Sequence, residues 1–538
     1  VFFTSARVCI IIYKGFAMVE KQILSGCACC GISRRHFLAA GCAACAGAAG
    51  LALPVRRVYG AGNSSKGTLR VLFALHAETQ PGPDWPNVGF EFRPVMDRLM
   101  TQLEKECGEF QYLPAMVNGA EATQAVIDED KGKDILGYLV FQLNCWNPVA
   151  QTAATQGKPV LYVDFKYGGS GGFLVYTAHF LRTQSGNVGF VASSDPADLT
   201  AAVRCFNAVA EGAPASGFAG LVARCRQERT AARSDTACLN DPVKTLPVAE
   251  WKERIAGSKI LLYQDQESAD LGTYMGIPLM KRPFAELNAA WEKADREESA
   301  HLAEKWVREA KAVEGVPMEV LKQSAAMYLA NKALLKEHGA NAITINCLGG
   351  FYGGHIHAYP CLGFHELCNE GLVGACEGDV RSTATMTAFG ILSGGRPGMI
   401  SDPVIDTSKR QIIYAHCVAS KRVFGPQGSD NPFTILTHSE DRQGAAVRSL
   451  LPSGYLTTTL EVNPDEKEIL MHQAKAVDND PDDRACRTKL CAEPLGDMEK
   501  LFTQWDRYGW HRVTFYGDLR EAVHELADAI GYQVLEEA

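Results

Sequence analysis

From residue 69 onward short apolar runs alternate with segments of helical period, and this alternation restricts the fold more than any other feature of the chain. Leu69 to Leu75, rich in Val, Leu and Phe, reads as a buried strand. Glu91 to Cys107 follows as a helix, with Val95, Met96, Leu99 and Leu103 at helical spacing. Ala120 to Asp128 and Pro148 to Thr155 read as further helices, and Ile135 to Leu143 and Val160 to Phe165 as strands. Parallel strands need crossover connections, so this order predicts an α/β unit on a mostly parallel sheet. Ligands of such sheets gather beyond the C-terminal ends of the strands. Asn144, Trp146, Lys166 and Tyr167 fall there, and Asn144, Trp146 and Lys166 are the expected substrate contacts of this unit.

A second α/β unit is expected over residues 186–348, after a first over 68–185. Its strand candidates are Val188 to Val191, Ile260 to Tyr263 and Ala342 to Ile345, with long amphipathic helices over Ala285 to Ala312 and Met318 to His338. From Gly349 the texture changes to short Thr, Val, Ile and Leu strands with Gly/Pro turns, so residues 349–538 read as a β-rich α+β unit closed by a strand–helix–strand from His511 to Val534. No internal repeat is present.

The first 60 residues stand apart. Ser33-Arg34-Arg35-His36-Phe37-Leu38 precedes an uncharged stretch of Ala, Gly, Cys and Leu up to Leu53, which reads as a twin-arginine export signal because it is shorter than the ~20 residues of a membrane span. Val58-Tyr59-Gly60 before Ala61 offers a small-residue cleavage site. Export by this route to the periplasm is therefore expected for the folded protein. Of 18 cysteines, six lie in this segment, and the remaining twelve include no CxxC pair, so they are expected to be buried thiols without a zinc ribbon or a redox pair. A formal net charge of −9 disfavours a nucleic-acid partner and suits a small neutral one.

The chemistry-bearing residues lie in the third unit. The apolar strand Leu372 to Ala375 runs into Cys376-Glu377-Gly378-Asp379 and then a helix, Val380 to Leu392. Asp379 suits the N-cap of that helix, which leaves Glu377 for function, since carboxylates are seldom buried unless paired or bound to a cation. Met399-Ile400-Ser401-Asp402 repeats the pattern of a short apolar strand ending in an acid, and Trp510-His511 opens the final strand.

An acid after a strand, a helix, a second acid some 25 residues on and a distant histidine opening the last β-α-β unit together resemble the L-fucose isomerase family. The resemblance implies that Glu377, Asp402 and His511 bind one divalent cation, usually Mn²⁺, with Glu377 and Asp402 also catalytic, in an enzyme that interconverts an aldose and a ketose through an enediol. It further implies a homo-oligomer, trimer or hexamer, and a cytoplasmic setting from which the export signal departs. Two carboxylates and one imidazole suit a hard or borderline ion with positions left open for vicinal oxygens. His416 and His438 lie in strand-rich segments and read either as structural histidines or as contacts behind or beside the ligands, His438 being the candidate substrate contact.

Two other readings are open. An isomerase-like scaffold exported to capture a sugar would keep the residues without turnover. Gly168-Gly169-Ser170-Gly171-Gly172 satisfies G-x-S-x-G, but it stands away from the preceding strand and suits a flexible glycine-rich loop better than a nucleophile elbow at Ser170.

Overall fold

The computed structural model describes residues 65–265 and 267–538. The twin-arginine segment, its cleavage site and the six early cysteines lie outside them. The described residues form a mixed α/β fold with three main sheets and one small one. The first holds β1 (Thr68–Ala74), β2 (Gln111–Val117), β3 (Ile135–Gln142), β4 (Val160–Asp164) and β5 (Val188–Val191), all parallel, in the order β2-β1-β3-β4-β5. The strand order reverses between β1 and β3, which opens a crevice at their C-terminal ends, where His76 and Asn144 to Trp146 follow. β2 carries Pro114 and has no clean period; it is tolerated because it is an edge strand, where a missing N–H can face outward. β5, expected to open the second unit, instead pairs with β4 as the far edge of the first sheet.

The second sheet is built from β6 (Ile260–Tyr263), β7 (Ala269–Tyr274) and β8 (Ile277–Arg282), then, after β9 (Ala312–Glu314), from β10 (Ala342–Ile345) and β11 (Val373–Ala375). Its order is β11-β10-β6-β8-β7, parallel except for the β7–β8 hairpin. β11 thus joins the middle unit rather than the third. The long helix expected over Ala285 to Ala312 is two helices, Phe284–Lys293 and Arg296–Glu309. The break is made by Asp295, whose carboxylate accepts the N–H groups of Glu297 and Glu298 at 2.8 and 2.9 Å as an N-cap.

The third unit adds β12 (Met399–Asp406), β13 (Gln411–His416), β14 (Phe433–Leu436), β15 (Ala446–Ser449), β16 (Leu456–Asn463), β17 (Glu468–Asn479), β18 (Thr488–Pro494), β19 (Arg512–Tyr516) and β20 (Gln533–Glu536). Its main sheet runs β16-β19-β12-β13-β18-β17-β20, and β16 also pairs with β17, so six strands close into a barrel-like ring with β20 outside it. Closure removes the free edges that short antiparallel strands would otherwise expose. β14 pairs with β15 on one side and β9 on the other in a small sheet that ties the middle unit to the third. Asp402 does not end its strand as expected. β12 continues through Pro403, because pairing to β19 stops at Ser401 and the proline forfeits no bond on that side.

Candidate metal centre

Glu377 follows β11 at the edge of the second sheet with φ of 66°, in the left-handed region, and Gly378 continues the turn with φ of 65°. A left-handed glutamate costs on the order of 1–3 kcal/mol and persists only where its surroundings fix it. Here the Gly378 N–H donates to Ile345 O at 2.9 Å, pinning the turn to the end of β10. Asp379 then caps helix Val380–Leu392, its Oδ1 accepting the Ser382 N–H at 3.0 Å. Asp402 lies within β12, His416 ends β13, and His511 stands one residue before β19.

These elements bring Glu377, Asp402, His416 and His511 together, each offering one ligand atom within 4.8 Å of all the others. His511 Nε2 is 3.5 Å from both Glu377 Oε2 and Asp402 Oδ1, and His416 Nε2 is 3.7 Å from Glu377 Oε1. Both Nε2 atoms are buried and lack a hydrogen-bond partner. A buried polar atom left unpaired is costly, and two imidazole nitrogens facing two carboxylates are the donor set of a divalent cation.

The two histidines are prepared differently. His511 Nδ1 donates to Asp379 Oδ2 at 2.8 Å, which fixes the tautomer with a lone pair at Nε2, in the carboxylate–histidine–metal arrangement. His416 Nδ1 instead accepts the Cys417 N–H at 3.0 Å, which places the proton of the neutral ring on Nε2, toward Glu377. His511 is thus poised as a ligand. His416 ligates only after a tautomer change and otherwise donates to Glu377 or to a bound hydroxyl.

Burial would raise the Glu377 carboxyl, but the facing His511 imidazole and the nearby His416 outweigh it and hold it below its ordinary value. Asp402 goes the other way: burial pushes it well up, and the charges of Glu377 and Glu440 add to that. His511 is lifted well above its usual value, burial being overcome by Asp402, Asp379 and Glu377, whereas burial takes His416 down to about 4. Without a cation both Asp402 and His511 are shifted toward their protonated forms. A dication makes both protons unnecessary.

Sequence reasoning left His416 open and missed Glu440. Glu440 is buried, its Oε2 accepts the Tyr352 hydroxyl at 2.6 Å, and burial raises its carboxyl to about 8. No motif marks it; only the fold brings its loop beside the ligands. His438 is buried against Phe351, Tyr352 and Tyr359, with Nδ1 3.3 Å from Asp441 Oδ1. Among the expected contacts of the first unit, Trp146 is 41% exposed and stacks on Trp510, the neighbour of His511, at 4.0 Å between ring centroids. Asn144 is fully buried and spent: its amide donates to Gln80 Oε1 and Trp85 O and accepts the His76 N–H, so it shapes the crevice rather than reading a ligand. Lys166 is likewise committed, to Asp406 and Asp480 at 3.3 Å each, fastening the first unit to the third.

Ser170 opens helix Ser170–Arg182, donates to Asp164 Oδ2 at 2.7 Å and accepts the Tyr167 N–H at 2.9 Å. With no histidine among its partners, nothing activates it as a nucleophile. The glycines around it are not a flexible loop: a Cβ on Gly169 would lie 2.3 Å from Gln142 O, and one on Gly171 2.8 Å from Cys145 Sγ. They allow close packing of the helix start on β3.

No family model matches the chain. Sulfoquinovose isomerases of Priestia aryabhattai and Priestia megaterium are each 25% identical to it over 202 residues, 36% of this chain. Among solved structures, a LacI-family regulatory protein from Chloroflexus aggregans is 12% identical, with 52% of this chain and 77% of that one covered and a TM-score of 0.16. An ABC transporter solute-binding protein from Agrobacterium vitis bound with alpha-D-tagatopyranose is 10% identical, with 61% and 87% covered and a TM-score of 0.15. Superpositions that poor bear on neither fold nor function. The chain is therefore related in sequence to a sugar isomerase, and the match spans 44% of that relative's length.

Proposed function

We propose that the protein is a divalent-metal-dependent sugar isomerase that interconverts an aldose and a ketose. The observation that carries this reading is the convergence of Glu377, Asp402 and two unpaired imidazole nitrogens in one buried cluster. The partial kinship with sulfoquinovose isomerases and the resemblance of the Glu, Asp and His motifs to the L-fucose isomerase family support it.

Glu377, Asp402 and His511 would hold the cation, Mn²⁺ by resemblance, which when bound supplies Lewis acidity to two adjacent sugar oxygens. The carboxylates of Glu377 and Asp402 are the groups that take a proton from the hydroxyl-bearing carbon and return it to the carbonyl carbon, with an enediol between. Asp379 keeps His511 in the tautomer that presents Nε2. The Ser33-Arg34-Arg35 motif assigns the enzyme to twin-arginine export, and the family resemblance assigns it a homo-oligomeric state.

Protein purified with Mn²⁺ should convert at least one member of an aldose panel to its ketose, and Glu377→Gln should abolish turnover while the fold is kept. A protein that retains metal but converts no aldose rejects the reading.

A further inference from the structure

Beyond β1, at the strand reversal of the first sheet, His76 Nε2 pairs with Asp84 Oδ2 at 2.9 Å. Asp84 Oδ1 accepts the Trp85 N–H at 2.7 Å, and the His76 backbone N–H donates to Asn144 Oδ1 at 2.9 Å, so the Asp84 carboxylate and the His76 main chain are both held. His76 Nδ1 has Asn118 Oδ1 at 3.5 Å, an acceptor at the limit of hydrogen bonding that gives the ring nitrogen no donor, and the ring is 28% exposed. The loop that carries Asp84 is docked on the third unit. The Val88 N–H donates to Glu440 O at 2.7 Å, the Ala485 N–H to Pro86 O at 3.1 Å, and Arg442 to Asn87 Oδ1 at 2.8 Å. Cys145, next to Asn144 in the chain, is buried, and its thiol donates to Gly168 O at 3.3 Å. Two residues on from Asn144, which holds the His76 main chain, the open face of Trp146, backed by Trp510, offers an aromatic surface.

We propose that His76, oriented by Asp84, opens the cyclic hemiacetal of an aldose at the rim of the site, a mutarotase step that precedes isomerisation. The inference rests on the isomerase reading for its place in the reaction, since only an open-chain aldose exposes the carbonyl that isomerisation needs. His76 Nδ1 takes the proton of the anomeric hydroxyl, and the freed O–H electron pair becomes the second bond of the carbonyl. The C1–O5 bond breaks with its pair on O5, and the imidazolium returns the same proton to O5. O1 and O5 share C1, so one ring nitrogen serves both. Nothing is oxidised and no co-reactant is consumed. Asp84 stabilises the transient imidazolium; burial opposes that charge, but the Asp84 hydrogen bond and charge outweigh it. Trp146 supplies a face for the C–H side of the closed ring.

The test follows the mutarotation of freshly dissolved α-D-glucopyranose by polarimetry, with isomerisation of glyceraldehyde, too short to close a stable ring, measured alongside an aldohexose. The wild-type protein should accelerate mutarotation. His76→Gln should lose at least about tenfold of that acceleration, and Asp84→Asn a smaller part. Turnover of the aldohexose should fall in the same proportion while that of glyceraldehyde stays within about twofold. No acceleration by the wild-type protein, acceleration that survives His76→Gln, or a parallel loss on both substrates would overturn the proposal. His76-dependent mutarotation in a protein that isomerises no sugar would sink the isomerase reading and leave this one standing.

Discussion

Replacing Asp379 by Asn tests how the centre is held, because one carboxylate serves two masters. Oδ2 accepts from His511 Nδ1 at 2.8 Å and from the Ser382 hydroxyl at 2.9 Å, while Oδ1 takes the Ser382 N–H at 3.0 Å. An amide has one acceptor oxygen for these sites. If it caps the helix, its NH₂ faces His511 Nδ1, forces the proton to Nε2 and removes the lone pair that would bind metal. If it turns to His511, the NH₂ faces the Ser382 N–H and the cap is lost, at about 1 kcal/mol. Either way the charge that supports the imidazole is gone. Asp379→Asn should therefore weaken Mn²⁺ binding by about 10- to 100-fold, or 1.4 to 2.7 kcal/mol, the usual range for a partner behind a metal-bound histidine. Calorimetric titration of the metal-free protein measures it, with the urea midpoint recorded in parallel. Unchanged Mn²⁺ affinity in a folded Asp379→Asn protein would refute the argument that His511 is a ligand set by Asp379.

His416→Gln should cost more than the ~100-fold upper end of that range if the ring turns to ligate, and little metal affinity but most of the turnover if it donates to a bound hydroxyl; titration and initial rates on the same preparation separate the two. Because Asp402 and His511 are both shifted toward their protonated forms, metal binding should release protons and weaken as pH falls, seen as a buffer-dependent heat of binding. His365 is buried, with Nε2 unpaired, and burial lowers it to about 4. Between pH 6.5 and 4 the unfolded chain gains a proton the folded one refuses, so this contribution to stability is whole above pH 6.5 and fades on acidification; His365→Gln should flatten that limb of a urea-midpoint curve. Glu537 and Arg512 are both fully buried and paired at 2.9 Å, and Glu537→Gln should destabilise the fold by about 3–5 kcal/mol in urea unfolding, since it leaves the Arg512 charge uncompensated.

The parts of the fold legible in the sequence are those whose signal is local. β1, β3 and β4 announce themselves by apolar content, and the cap at Asp379 by its position before helix Val380–Leu392. Sheet membership is not local. Val188–Val191 and Val373–Ala375 read clearly as strands, but which neighbour each pairs with depends on contacts far along the chain. The same division holds at the site. Glu377, Asp402 and His511 carry a local signal because each follows, interrupts or precedes an apolar strand. Glu440, His76 and Asp84 lie in loops whose sequence has no period, and Asn144 and Lys166 sit where ligand residues should be yet have their polar atoms spent on the protein itself.

The centre is divided between two halves of the molecule. Glu377 rides on the edge of the middle sheet, while Asp402, His416 and His511 belong to the barrel, and helix Val380–Leu392 with its glycine turn is the tether between them. Each half alone is a poor chelator. Joined by a short tether they meet at a high effective concentration, so a bound cation would act as a rivet between the two bodies and its affinity would report how well they are seated. Lengthening the turn at Gly394-Gly395 should then loosen the metal without altering a single ligand.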